Sequence, residues 1–195
     1  MIKDFEQFQD MIARLYPELS QTDNTDPTAK KVLSKTVTFQ VTDACNLNCT
    51  YCYQINKGKR TMKFETAKKL IDLLLTGDRR LNSYIDPQTS PGIILEFIGG
   101  EPFLAVALID EICHYFYTKA IELCHPWATK FCISICSNGV LYFDPAVQRF
   151  LNRWRRHMAF SITIDGNRQL HDSCRIFPDG SPSYDLAVAG AKDWI

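Results

Sequence analysis

The chain has 195 residues, 46% of them hydrophobic, and its 22 lysine and arginine residues balance its 22 aspartate and glutamate residues. This length and composition are typical of one globular domain with one sizeable core, and the zero net charge argues against a nucleic-acid or membrane partner. The N-terminus lacks the apolar run of a signal peptide, and no window resembles a membrane span. We therefore expect a cytoplasmic protein whose eight cysteines are reduced and serve as ligands, catalysts or small buried hydrophobes.

Residues 1–35 are predicted to form an N-terminal amphipathic helix followed by a polar linker, and a regular alternation of strands and helices fills residues 36–195. The strands are predicted at 36–42, from Gly92 to the glycine pair at 99–100, at 131–139 and at 159–166, and the helices at 64–75, 104–123, 144–154 and from Ser183. This alternation predicts an α/β fold, a partial (β/α) barrel of parallel strands with helices outside. Because four such strands leave an edge where a fifth would pair, we expect the chain to be a portion of a longer protein.

Each predicted strand is followed by a polar motif. CNLNCTYCY (45–53) follows the first strand, GGEP (99–102) the second, SNG (137–139) the third and TIDG (163–166) the fourth. The carboxyl ends of parallel strands meet at one edge of a sheet, where ligands of such folds bind. We therefore expect the four motifs to form one site.

The first motif carries three cysteines with the spacing C-x3-C-x2-C. Asn46, Asn48 and Thr50 make the segment a polar loop, which argues against cysteines buried for structural reasons. A structural zinc ion would need a fourth ligand from elsewhere in the chain. An iron–sulfur cluster can be held by three thiolates, which leaves one iron open to another ligand.

The cysteine loop, with Tyr51 before its third cysteine and GGEP downstream, resembles the radical S-adenosylmethionine (radical SAM) superfamily over roughly residues 36–190. The resemblance implies that Cys45, Cys49 and Cys52 are the metal ligands and catalytic cysteines that hold a [4Fe–4S] cluster. Its open iron would bind S-adenosylmethionine. One-electron cleavage would then give a 5′-deoxyadenosyl radical that abstracts hydrogen from a substrate. A flavodoxin or ferredoxin would supply the electron.

Four further positions match cofactor-binding positions of that superfamily. The resemblance places Tyr51 near the cluster and the adenine. Gly99 and Gly100 would let the backbone approach the methionine moiety. Glu101 would accept a hydrogen bond from the ammonium group, for which a carboxylate is well suited. Taken alone, GGEP is equally compatible with a tight turn before a helix.

The third and fourth motifs supply the remaining candidate cofactor residues. By resemblance, Ser137 and Asn138 contact the methionine or ribose end of the cofactor, although a turn without such contact remains an alternative. Strand periodicity places Ala159, Ser161, Thr163 and Asp165 on one face of the fourth strand. This small, polar face is expected to line the cavity, and Thr163 and Asp165 are its candidates for ribose or substrate contacts.

The tract TIDGNRQLHDSCR (163–175) is similar to a subgroup of the superfamily that modifies peptides and proteins. Anaerobic sulfatase-maturating enzymes and ribosomal-peptide maturases belong to it, and they typically carry a C-terminal SPASM or twitch extension with auxiliary clusters. His171, Asp172 and Arg175 are interpreted as a network that orders this loop. The alternative is that Arg175 faces the cofactor carboxylate.

The remaining chemistry-bearing residues receive a structural interpretation. Cys113, Cys124, Cys132 and Cys136 are expected to be small buried hydrophobes. Glu96, within an apolar strand, is expected to face the cavity, either as a satisfied polar group or in contact with substrate. The expected function is that of a radical SAM maturase of a precursor peptide or protein. The alternatives are a zinc-stabilised binding module without catalysis and a truncated radical SAM fragment without substrate turnover.

Overall fold

The computed structural model describes residues 34–54, 57–78, 80–81, 84–87 and 89–195. The predicted N-terminal helix and nearly all of its linker lie outside the described residues. Short 3-10 turns precede α2, β3 and β4, at Pro102–Ala105, Pro126–Ala128 and Arg155–His157. The regular elements run in the order β1 (Lys35–Thr42), α1 (Phe64–Thr76), β2 (Ile93–Gly99), α2 (Val106–Glu122), β3 (Phe131–Ser137), α3 (Pro145–Trp154), β4 (Met158–Ile162), α4 (Arg168–Cys174) and α5 (Tyr184–Trp194).

The four strands form one parallel sheet in the order β1-β2-β3-β4. Each crossover advances to the adjacent position, so the strand order does not reverse as it does in a doubly wound sheet. Stepwise progression with helical crossovers is the winding of a (β/α) barrel. The predicted α/β fold of parallel strands and helices is therefore confirmed for the described residues.

The two faces of the sheet differ in chemistry because side chains alternate along each strand. In β1, Val37, Phe39 and Val41 are buried while Thr36 and Thr38 are exposed. The buried face is continued by apolar residues of the other strands and is covered by the helices, forming one core. Its fully buried members include Phe97, Leu95, Ile133, Ile71, Ile109 and Phe116.

Local signals place the helices as the sequence predicted. Asp144 caps α3 by accepting a hydrogen bond from the backbone N–H of Ala146 at 2.8 Å, and Pro145 occupies the first turn. α1 ends at Thr76 and is capped by Gly77, whose φ of 74° is left-handed. In the described part of the chain, no helix combines the length and apolar character that crossing a bilayer requires.

Candidate functional site

The first two strand ends are joined by backbone hydrogen bonds. The N–H of Gly100 donates to the carbonyl of Thr42 at 3.1 Å, and the N–H of Glu101 donates to the carbonyl of Ala44 at 2.8 Å. A Cβ at Gly100 would lie 2.3 Å from the Ala44 oxygen, and one at Gly99 would lie 2.5 Å from the Thr42 oxygen. The two glycines therefore make room for the segment that leads into the cysteine loop.

Glu101 connects the second strand end to the third. Its carboxylate is 1% exposed and accepts hydrogen bonds from the Ser137 hydroxyl at 2.8 Å, the Phe103 N–H at 3.1 Å and the Asn138 N–H at 2.9 Å. Burial raises the pKa of Glu101, and the hydrogen bonds from Asn138, Phe103 and Ser137 oppose that shift. Three donors leave about one of the carboxylate's four acceptor positions for a ligand.

Asn138 connects the third strand end to the cysteine loop. Its side-chain amide donates to Asn46 Oδ1 at 2.7 Å and lies 3.9 Å from Cys45 Sγ, while its own oxygen accepts from the Val140 N–H at 3.0 Å. Sequence reasoning treated Asn46 only as a mark of a polar loop and missed this contact. An asparagine beside a candidate ligand indicates a possible hydrogen bond, but the sequence does not indicate which residue the asparagine would contact.

The three candidate ligands are free, half-buried thiols on one loop. The backbone N–H of Leu47 donates to Cys45 Sγ at 3.4 Å, and Leu47 itself is buried and anchors the loop. Burial raises the pKa of Cys45 and of Cys49. The Leu47 hydrogen bond and the charge of Lys57 lower the pKa of Cys45, and the charges of Arg175 and Lys57 lower that of Cys49. Desolvation thus opposes deprotonation of these thiols, whereas hydrogen bonding and nearby positive charge favour it.

Within the described ranges, no three histidine, cysteine, aspartate or glutamate side chains converge so as to hold one metal ion. A closed zinc site has all of its ligands meeting at one atom. The thiolates of an iron–sulfur cluster bind different irons and need not converge on one point. The Nδ2 group of Asn46, next to Cys45, is buried without a hydrogen-bond partner. An unused donor beside three thiols fits an electron-rich, sulfur-containing group.

The other side of the cysteine loop is held by the segment after β4. The N–H of Asn48 donates to the carbonyl of Ile176 at 2.7 Å, and the N–H of Thr50 donates to the carbonyl of Cys174 at 2.9 Å. Between these two acceptors lies Arg175. The cysteine loop is therefore attached to three neighbours, namely the second strand end, the third strand end and the C-terminal end of α4.

Tyr51, Asp165 and Arg175 form a cluster beside the loop. The Tyr51 hydroxyl donates to Asp165 Oδ2, Arg175 Nε donates to the same oxygen at 3.0 Å, and the guanidinium lies 5.6 Å from the centre of the Tyr51 ring. Partial burial and the bond to Asp165 raise the pKa of Tyr51 to about 12. The phenol thus stays protonated as a donor. The ring itself is 55% exposed, so a face remains for a bound molecule.

The HDSCR tract is a helix and its C-terminal cap, not the loop that the sequence predicted. His171 is fully buried; its Nδ1 accepts from the Asp165 N–H at 3.2 Å, and its Nε2 lies 3.1 Å from the Ser183 hydroxyl. Asp172 accepts from the N–H groups of Ser183 and Tyr184 at 3.1 and 2.9 Å. These bonds join α4 to α5 and agree with the structural interpretation of His171 and Asp172.

Thr163 and Asp165 lie beyond the end of β4, which stops at Ile162. The N–H of Thr163 donates to the carbonyl of Ser137 at 3.0 Å, and its hydroxyl lies 3.3 Å from Cys136 Sγ. The structure therefore brings all four motifs to the same edge. Whether these residues contact a cofactor stays a prediction.

The expectation that four cysteines are buried hydrophobes holds for Cys113 and is wrong for two of the others. Cys113 is fully buried, whereas Cys124 and Cys136 are exposed and Cys132 is half-buried. The reason for Cys132 and Cys136 is their phase in β3, which places them on the face that the helices do not cover.

No family model matches the sequence. The chain is 31% identical over 156 residues to the serine-type anaerobic sulfatase-maturating enzyme of Bacteroides thetaiotaomicron, an alignment that covers 75% of this chain and 33% of that enzyme. It is also 31% identical over 149 residues to the uncharacterized protein MJ0907 of Methanocaldococcus jannaschii, with 76% and 44% covered. The chain thus spans less than half the length of these relatives.

Several solved structures share the fold, among them the following two, each with a bound peptide. Native anSMEcpe with bound AdoMet and Kp18Cys peptide superposes with a TM-score of 0.64 at 20% identity, over 83% of this chain and 41% of that one. Streptococcus suis SuiB bound to its precursor peptide SuiA superposes with a TM-score of 0.50 at 15% identity, over 100% of this chain and 36% of that one.

By these similarities, the chain has the α/β fold of the radical SAM enzymes that mature peptides and proteins. Together with the sequence relatives, they show that the chain is related to the radical SAM peptide maturases. The resemblance read from the two motifs of the sequence is confirmed.

Proposed function

We propose that this chain is the catalytic portion of a radical SAM enzyme that modifies a peptide or protein substrate. The observation that carries the proposal is the attachment of the cysteine loop to the GGEP and SNG turns through Ala44, Glu101 and Asn138. This attachment fixes three thiols at the carboxyl edge of a parallel sheet. Ligands of barrel-type folds bind at this edge.

Cys45, Cys49 and Cys52 would hold a [4Fe–4S] cluster. When bound, that cluster and S-adenosylmethionine supply a 5′-deoxyadenosyl radical by one-electron cleavage, and the radical abstracts hydrogen from the substrate. The Leu47 N–H and the unused Asn46 amide would donate to sulfur. Such hydrogen bonds and burial are how a protein tunes an iron–sulfur site.

The cofactor-binding roles are assigned to groups whose hydrogen-bonding capacity is not exhausted. Glu101 keeps about one acceptor position for an ammonium group. Tyr51 offers an exposed ring face beside the loop. Thr163 and Asp165 would bind ribose hydroxyls or substrate. Gly99 and Gly100 would act by letting the loop approach closely.

Ser137 and Asn138 have fewer groups left for a ligand. The Ser137 hydroxyl donates to Glu101 and accepts from the Gly139 N–H at 3.0 Å, and the Asn138 amide is bonded to Asn46 and Val140. We therefore assign both residues mainly to positioning the loop and Glu101. A contact of either one with the cofactor would be a secondary role.

A peptide substrate is proposed because two of the solved structures that share the fold, those of anSMEcpe and SuiB, were obtained with a bound peptide. The sulfatase-maturating relative points to the same class of substrate. A flavodoxin or ferredoxin would deliver the electron in the cytoplasm.

The test is anaerobic reconstitution with iron and sulfide. Wild type is expected to turn brown, with broad absorption near roughly 400 nm, and to form 5′-deoxyadenosine from S-adenosylmethionine with dithionite. Cys49→Ala should lose both signals, because one of three ligands is gone. Cys124→Ala, the same change at an exposed thiol outside the loop, should keep both.

Two results would favour the alternatives. A colourless wild-type protein that binds zinc stoichiometrically would contradict the cluster and support a zinc-stabilised binding module. Formation of 5′-deoxyadenosine without modification of any peptide would favour a fragment that binds its cofactors but lacks a complete substrate site. An active Cys49→Ala variant would contradict the ligand assignment.

A further inference from the structure

The strand face that is opposite the core carries a single carboxylate among the described strand residues, that of Glu96. The register places Glu96 in a row with Thr38 of β1, Ser134 of β3 and Ala159 of β4. All three neighbours are short, so the Glu96 side chain is the longest of its row. The core residues of α1, α2 and α3 pack on the other face, and Thr38 and Ala159 of this row are exposed.

The charge of Glu96 has no positive partner in the described part of the chain. Its carboxylate oxygen Oε2 accepts one hydrogen bond, from the Thr38 hydroxyl at 2.6 Å. A hydroxyl satisfies a lone pair but does not neutralise charge. Along β2, the same face has the aliphatic side chains of Ile94 and Ile98 on either side.

A glutamate at this position is unfavourable for the strand itself. Glutamate is depleted in strands, and a half-buried carboxylate between two aliphatic side chains loses hydration without gaining a counter-charge. Threonine or serine, as found at the neighbouring positions of the row, would avoid that cost. Among the described residues, the charge of Glu96 is therefore unpaired and can meet a ligand that approaches this face.

Glu96 lies close to the proposed reaction centre. It precedes Gly99 by three residues, which in a strand corresponds to about 10 Å. Between Glu96 and the carboxyl edge, the same face of the sheet carries Ser161 and the contact between Cys136 and Thr163. A chain lying across the open face would touch Glu96 while one of its residues reached the thiol-bearing edge.

We propose that Glu96, supported by Thr38, is a specificity-determining residue that binds a lysine or arginine side chain of the substrate peptide. The inference rests on the proposed function, from which it takes the peptide. A cationic side chain would form a charge-assisted hydrogen bond with the oxygen that Thr38 leaves unused. The aliphatic stem of such a residue would pack on Ile94 and Ile98.

The experiment is a selection of phage-displayed random heptapeptides on the anaerobically reconstituted protein. Wild type and Glu111→Gln, which changes a carboxylate on the outer helix layer, should enrich peptides with lysine or arginine. Glu96→Gln should lose that enrichment, and Glu96→Lys should enrich aspartate or glutamate. A synthetic copy of a selected peptide should bind Glu96→Gln roughly ten- to a hundredfold more weakly than wild type.

The proposal is overturned if peptides selected on wild type lack basic residues, or if the selected peptide binds Glu96→Gln as tightly as wild type. Equal melting temperatures of the variants would show that binding is compared between folded proteins. Formation of 5′-deoxyadenosine without peptide separates the two hypotheses. If it occurs and no basic preference exists, the cofactor chemistry of the proposed function stands and the role of Glu96 fails. If it is absent and the preference exists, the cofactor chemistry fails and the role of Glu96 stands.

Discussion

The helix-covered face of the sheet and its carboxyl edge are built from different interactions. Phe39 and Phe97 stack at 5.4 Å in a continuous apolar layer, and every strand contributes alternate residues to that layer. At the edge, Glu101, Asn138 and Asp165 connect four turns through hydrogen bonds. Apolar burial is non-directional and sets stability, whereas directional bonds fix where the thiols and other polar groups lie. The comparison predicts that substitutions in the core destabilise the chain, whereas substitutions at the carboxyl edge lower the amount of bound cofactor.

Phe97→Ala tests the helix-covered face and should have the largest effect. The ring is fully buried and stacks on Phe39 of β1, so its loss should lower the free energy of unfolding by about 3–5 kcal/mol. Urea unfolding measures the change. Phe143→Ala removes the same group from a side chain that is 53% exposed and should cost far less. Equal losses for the two variants would contradict the assignment of stability to the core.

Glu101→Gln tests the edge. Both oxygens of Glu101 accept hydrogen bonds, from Ser137 and Phe103 on one side and Asn138 on the other. The glutamine amide must therefore place its NH₂ group against a donor. The expected cost is about 1–3 kcal/mol, and iron bound per folded chain should also fall.

Glu111→Gln, an exposed helix position, is the matched control and should change stability by less than about 0.5 kcal/mol. A fall in iron bound per folded Glu101→Gln chain would support the assignment of this carboxylate to the site. Unchanged loading in a protein destabilised by Glu101→Gln would place this carboxylate with the core and not with the site.

Asp165→Asn should have the smallest effect of the three, about 1 kcal/mol, and a distinctive pH dependence. Partial burial opposes ionisation of Asp165, but the bonds from Tyr51 and Arg175 hold its pKa below the ordinary value of 3.8. A lowered carboxyl pKa contributes stability that is present above pH 3.8 and is lost as the pH falls through the folded-state value. The difference in unfolding free energy between wild type and Asp165→Asn should thus shrink below about pH 4. A difference that grows on acidification would contradict the cluster.

Much of the fold follows from the sequence because the covered face repeats with a clear period. The alternation of Val37, Phe39 and Val41 with polar residues defined β1, and Asp144 followed by Pro145 defined the start of α3. Parallel strand ends must meet at one edge, so the gathering of the four motifs there was also predictable.

The contacts within the edge were not predictable from the sequence. Glu101 accepts from residues 36 and 37 positions away, and the Asn46–Asn138 bond spans 92 positions; such pairs are set by loop conformation and leave no periodic signal. The HDSCR tract was expected to be a loop because its residues are mostly polar. It forms a short helix that is stabilised by contacts with α5, which the sequence pattern does not show. Cys136 was expected to be buried because the sequence does not say which strand face lacks helices.

The central claim is that three thiolates hold a cluster with one iron left open for S-adenosylmethionine. Its most direct measurement is the electron paramagnetic resonance spectrum of the reconstituted, dithionite-reduced chain before and after S-adenosylmethionine is added, with iron quantified in the same sample. We expect about four irons per chain and a spectrum that changes on addition. A spectrum that does not respond to S-adenosylmethionine, or a chain that retains no iron, would contradict the claim.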